Sequence, residues 1–157
     1  RGCFVAEITD RDLDDIFPVM ALLEGRAAHE ASRNAGDADV AALQLLHERL
    51  QDCAAQGRIT DYYEVNYAIH EAFITLADNR WLAQVIGDLR KILRLARLQT
   101  LRAPGRLQES LAEHLAVFAA LRNGDCDAAE EAMRIHLLRQ RDALRDVTRN
   151  QQSKLTT

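Results

Sequence analysis

A chain of 157 residues has room for one domain with a real core and hardly for two. Apolar residues make up 48% while Gly (7) and Pro (2) are scarce, a mix that favours helix almost everywhere. A net charge of −4 argues against a stand-alone duplex-binding domain, and no stretch approaches the roughly 20 apolar residues of a membrane span.

No charged–apolar–small leader opens the chain, so nothing in it suggests export. Cys3, Cys53 and Cys126 stand far apart with no C-x-x-C pair, which fits a cytoplasmic location and speaks against a thiolate zinc site.

Residues 1–9 are strand-like, with Cys3, Phe4, Val5 and Ile8 following Gly2. Thr9 offers an N-cap, and the spacing of Leu13, Phe17, Met20, Leu23, Ala27 and Ala31 predicts a first helix to about Ser32. Pro18 inside it predicts a kink or a later true start. Asp37 can cap a second helix with Val40, Leu43, Leu46 and Leu50 inward, stopped by Gly57. A third begins near Thr60 and carries Tyr62, Val65, Ile69, Phe73 and Leu76 before Asp78–Asn79. The fourth runs from Trp81 to about Leu101 through Ile86, Leu89 and Leu93, and Pro104–Gly105 is a firm turn. The fifth holds Leu107, Leu111, His114 and Phe118 and ends at Asn123–Gly124. Asp125 caps the sixth, with Ala129, Met133, His136 and Leu137 inward, and residues 151–157 read as a polar, frayed tail. The fold class is therefore all-α, an antiparallel bundle of about six helices.

Arg90, Lys91, Arg94, Arg97, Arg102 and Arg106 form a basic run, read as a solvated helix face with a basic C-terminal end. The five histidines are not equivalent. His29 and His47 have charged sequence neighbours and read as surface residues. His114 and His136 fall on inward arcs, and His70 shares the edge of its helix's inner face with Asn66 and Phe73. Two readings stay open on pattern alone: each ring is satisfied separately in the core, or all three share a divalent cation. Asn66 and His70, at i and i+4, point the same way and could supply two ligands from one helix. No Glu-x-x-His pair, H-E-x-x-H, P-loop or dinucleotide fingerprint is present, which weakens a di-iron or enzymatic reading.

Beyond these patterns, an ordered set of segments resembles the FCD domain, the C-terminal ligand-binding domain of the FadR branch of GntR-type regulators. The set is Leu22-Leu23-Glu24-Gly25, Asn66 to Phe73, Asp78-Asn79, Pro104-Gly105-Arg106, Glu113-His114, Gly124-Asp125 and Ala132 to Leu137. The resemblance covers nearly the whole chain and sets residues 10–150 as the domain. Residues 1–9 resemble the end of a winged-helix wing, which implies a DNA-reading domain upstream. It also implies one divalent metal held by Asn66, His70, His114 and His136, with a small carboxylate effector meeting the metal. Such nitrogen and oxygen donors suit zinc or nickel, with manganese or iron as alternatives. The implied assembly is a homodimer, with the first and fourth helices (Leu22, Leu95, Leu98) as the surface.

Two departures from the family pattern stand out. Asn66 replaces the more frequent Asp, and Met20-Ala21 lie where many members carry an effector-binding Arg. By helical phase Arg97 and then Arg90 are the nearest substitutes for that clamp, although a solvated role for each stays open. Ser110 and Tyr63 could add hydrogen bonds to the effector. Two other readings remain: a purely structural metal, and a metal-dependent lyase or hydrolase with Glu113 as its base.

Overall fold

The computed structural model describes residues 9–155, and among them the chain forms six α-helices and no strand. They are α1 (Asp10–Asn34), α2 (Asp37–Ala55), α3 (Ile59–Leu76), α4 (Arg80–Thr100), α5 (Arg106–Arg122) and α6 (Cys126–Leu155). The expected wing segment lies almost wholly in residues 1–8, outside those described.

Local chemistry explains the helix ends. Thr9 Oγ1 accepts from the Asp12 N–H while the Asp12 carboxylate accepts from the Thr9 N–H, a reciprocal box that starts α1 at Asp10. Pro18 therefore sits inside a helix that starts eight residues earlier; no late start occurs. At α2 the cap is Gly36, whose N–H donates to Asp39, instead of the expected Asp37. Asn79 Oδ1 accepts from the N–H groups of Trp81 and Leu82 to open α4. Gly105 takes φ 79° and reverses the chain from α4 into α5, a left-handed conformation that a side chain would strain. Helix α6 is described to Leu155, and residues 156–157 of the expected tail lie outside the described residues.

Helix α1 is the hub, touching α3, α4 and α5 and packing lengthwise on α6. Small residues allow that approach: Ala27, Ala28 and Ala31 are fully buried. A Cβ at Gly25 would lie 2.7 Å from Arg134 Cγ and 3.2 Å from the Glu130 carbonyl. The core around this seam includes Phe17, Met20, Tyr62, Ile69, Phe73, Met133 and Leu137. Burying each such side chain contributes roughly 1.5–3 kcal/mol. The apolar phases read from the sequence face this core, and the polar exceptions to it make the site.

Candidate metal centre

Three helices each carry one imidazole into the same interior space: His70 from α3, His114 from α5 and His136 from α6. Their ring centroids are 4.5–5.3 Å apart, and one nitrogen from each lies within 4.8 Å of the others. All three rings are essentially inaccessible to solvent.

Each ring is held from behind. His70 Nδ1–H donates to Glu24 Oε2 of α1 at 2.5 Å, and His136 Nδ1–H donates to Glu113 Oε2 of α5 at 2.7 Å. Those bonds fix the tautomer, so the Nε2 lone pairs of His70 and His136 have no hydrogen-bond partner. The Asn66 amide lies 2.7 Å from His114 Nε2, while His114 Nδ1 is also without a partner. A half-turn of the Asn66 amide exchanges its nitrogen and oxygen, presenting the oxygen to the same place.

The electrostatics keep the rings as lone-pair donors. Burial holds the His70 pKa down to about 3, against the pull of Glu24. His114 and His136 are lowered first by burial too, His114 further by the neighbouring histidines. Burial alone would raise the carboxyl pKa of Glu24, but Arg90, His70 and Arg97 outweigh it and keep it ionised. Glu113, likewise opposed by burial, is brought down to about 2 by His136 and Arg106. Arg106 donates Nη1 to Oε1 at 2.9 Å and Nη2 to Oε2 at 2.7 Å, a bidentate grip.

A buried polar nitrogen without a partner is unfavourable, and the bare Nε2 atoms of His70 and His136, with one nitrogen of His114 within 4.8 Å of its counterparts, call for a shared acceptor of lone pairs. Neutral imidazoles backed by carboxylates are the donor set that a borderline divalent cation takes. The three histidines therefore fit a metal ion, and the Asn66 amide stands against His114 Nε2.

Several sequence expectations meet corrections. His47 is buried, contrary to its surface reading: Nδ1–H donates to the Leu43 carbonyl at 2.7 Å and the ring stacks on Phe118 at 4.4 Å. His29 is half-buried at the α1–α6 seam, facing Asp127 and Glu130. The basic run is not one solvated face, because Arg90, Arg97 and Arg106 turn inward and leave Lys91, Arg94 and Arg102 outside. Arg90 and Arg97 converge on Glu24 beside the histidines. Tyr63 is buried near Arg97, and Ser110 is buried with its hydroxyl accepting from Tyr62. Leu22 is exposed as expected of a docking residue, but Leu98 packs against the core.

Glu24 is the functional residue that residue-by-residue reasoning missed. It occupies the inward phase of α1 between Met20 and Ala27, where a carboxylate is conspicuous. Glu113 meets His136 at Nδ1, the far side of the ring from Nε2, so it orients that ring and does not face the space between the histidines. That placement disfavours the general-base role. Two surface grooves, of about 410 and 460 Å³, lie away from this space; one is between α2 and α3, and the other reaches only the outer side of Glu113.

Comparison with known proteins identifies the family and the fold. The FCD domain model matches residues 15–139. The HTH-type transcriptional repressor GlaR of Escherichia coli is 30% identical over 88% of this chain, and the uncharacterized HTH-type transcriptional regulator YdhC of Bacillus subtilis is 20% identical over 87%. The chain spans 66% and 61% of those relatives' lengths. Among solved structures, E. coli McbR/YncC superposes with a TM-score of 0.82 at 24% identity, covering 90% of this chain and 68% of that one. The Listeria monocytogenes protein described as Lar, which "controls the expression" of the agr system, gives 0.73 at 8% identity, covering 88% and 66%. These last two likenesses concern the fold.

Proposed function

Because the chain belongs to the FCD domain family, we propose that it is the sensing domain of a GntR-type transcription regulator, binding a divalent cation and a small organic acid and performing no catalysis. Asn66, His70, His114 and His136 would hold the cation, zinc or nickel being the best match to the donors. When bound, the cation supplies a positive docking point for a carboxylate oxygen.

The remaining work falls to the protein's own residues. Arg90 and Arg97 of α4 draw the acid inward, and Tyr63 and Ser110 line the approach. Glu24 ties α1, α3 and α4 together through His70, Arg90 and Arg97. An anionic group of the acid that reaches beyond the cation competes with Glu24 for the arginines and loosens α4 from α1. In a longer, cytoplasmic, homodimeric regulator that shift would reorient an upstream DNA-reading domain, with a coupling of about 1–3 kcal/mol. Exposed Val19 and Leu22 of α1, with Trp81, Val85 and Ile92 of α4, are the apolar residues available for pairing. No described helix is long and apolar enough to cross a membrane.

The observation that carries this reading is the set of partnerless ring nitrogens backed by Glu24 and Glu113. The test is metal content and thermal stability of the unmodified protein beside His70→Ala and His136→Ala. One equivalent of zinc or nickel is expected in the parent, with stabilisation of about 2.7 kcal/mol at a hundredfold excess over Kd. Metal uptake by both variants equal to that of the parent would refute the site. A purely structural cation is the second reading, favoured by the sealed position of the rings; it predicts stabilisation by metal but none from added acids.

A further inference from the structure

The compartment beside the histidines holds more positive than negative charge. Glu24, Arg90 and Arg97 are 1%, 4% and 4% exposed. Arg90 Nη1 donates to Glu24 Oε2 at 3.1 Å, the oxygen that also accepts from His70. Arg97 Nη2 stands 3.7 Å from Glu24 Oε1, beyond hydrogen-bond reach, and Arg97 Nε and Nη2 have no hydrogen-bond partner among the described residues. Glu24 Oε1 and Arg90 Nε are unbonded as well. Glu24 links Arg97 to the histidine centre, with Oε1 facing Arg97 and Oε2 accepting from His70.

The contrast with Arg106 is informative. That guanidinium is also buried, but Glu113 grips both of its terminal nitrogens. Arg97 has only half of one carboxylate, shared with Arg90. A buried cation left short of partners destabilises a fold, because desolvation is not repaid. A monocarboxylate docked at the histidine centre would spend its one charge there and leave Arg97 as it was.

We infer that Arg97 forms a second anion subsite, so that the ligand of this domain is a small dianion with one oxyanion at the histidine centre and another on the Arg97 Nε–Nη2 edge. A guanidinium edge offers two parallel N–H donors, which match a carboxylate or a phosphoryl-type group. This rests on the sensor reading above and narrows its ligand class.

The test is calorimetry on the zinc-loaded protein with chain-matched acids: butyrate and pentanoate as monoanions, succinate and glutarate as dicarboxylates, and 3-phosphonopropionate. A dianion is expected to bind about 10- to 100-fold more tightly than the monoanion of equal length, the scale of a charge-assisted bidentate contact. The tighter of succinate and 3-phosphonopropionate identifies the second group. In Arg97→Gln the dianion-to-monoanion ratio should fall toward one, and in Arg97→Lys, which keeps the charge but not the fork, it should be intermediate. Equal binding of monoanions and dianions by the parent overturns the inference and leaves the sensor reading standing; this comparison needs no variant to fold. An undiminished ratio in Arg97→Gln also overturns it. Binding of no acid, with zinc uptake intact, removes the inference and the acid-sensing reading together.

Discussion

Substituting Glu113 by Gln separates holding the fold from holding the metal. The carboxylate has two duties: accepting from His136 Nδ1 at 2.7 Å and gripping Arg106 through both oxygens. Glu113→Gln keeps the volume and one acceptor but strands the Arg106 cation. Breaking a buried ion pair on one side costs about 3–5 kcal/mol. Glu109, 3.4 Å from Arg106, remains as a partial partner and puts the loss at the lower end. A loss of about 3 kcal/mol lowers the Tm by about 6–12 °C in a domain of this size. Metal affinity should fall by about 10- to 100-fold, because the amide orients and polarises His136 less well than a carboxylate. Adding Arg106→Met removes the stranded cation, so the double variant should regain most of its stability. It should not regain its metal affinity. Denaturant unfolding and zinc titration against a competing chelator read the two quantities independently. Full recovery of zinc affinity in the double variant would show that Glu113 matters only for the fold, and the account of His136 orientation would be wrong.

Asn66→Asp adds a negative charge beside His114 Nε2 and should tighten zinc binding, measured in the same chelator competition; unchanged affinity would count against Asn66 as a ligand. Gly25→Ala should gain about 1 kcal/mol of helix propensity. It should lose more than that to the 3.2 Å approach of the Glu130 backbone and the 2.7 Å approach of Arg134 Cγ, with overpacking of this kind costing about 1–3 kcal/mol. Net destabilisation in urea unfolding is expected, and a more stable variant would show that the α1–α6 seam is looser than its geometry implies.

Helix periodicity made nearly all of the architecture readable, because each apolar arc really does face the core; the internal helix boundaries fall within a few residues of expectation. The three site histidines were readable for the same reason. His47 was misjudged from its charged chain neighbour Glu48, although its neighbours by helical phase, Leu43 and Leu50, are both buried. The inward arginines could not be settled from one helix alone. A guanidinium stays inside only if a carboxylate meets it, and that partner comes from a distant helix, as Glu24 of α1 does for Arg90 and Arg97 of α4.

Helix α1 runs unbroken from the capping box at Thr9 past Glu24. Fourteen residues separate Asp10 from Glu24, about 21 Å of rod at 1.5 Å per residue. Glu24 thus sits at the fulcrum of a lever: a tilt of about 5° there would sweep the far tip through roughly 2 Å. Ångström-scale rearrangements around a single carboxylate would in this way leave the molecule enlarged, delivered at the end where α1 begins.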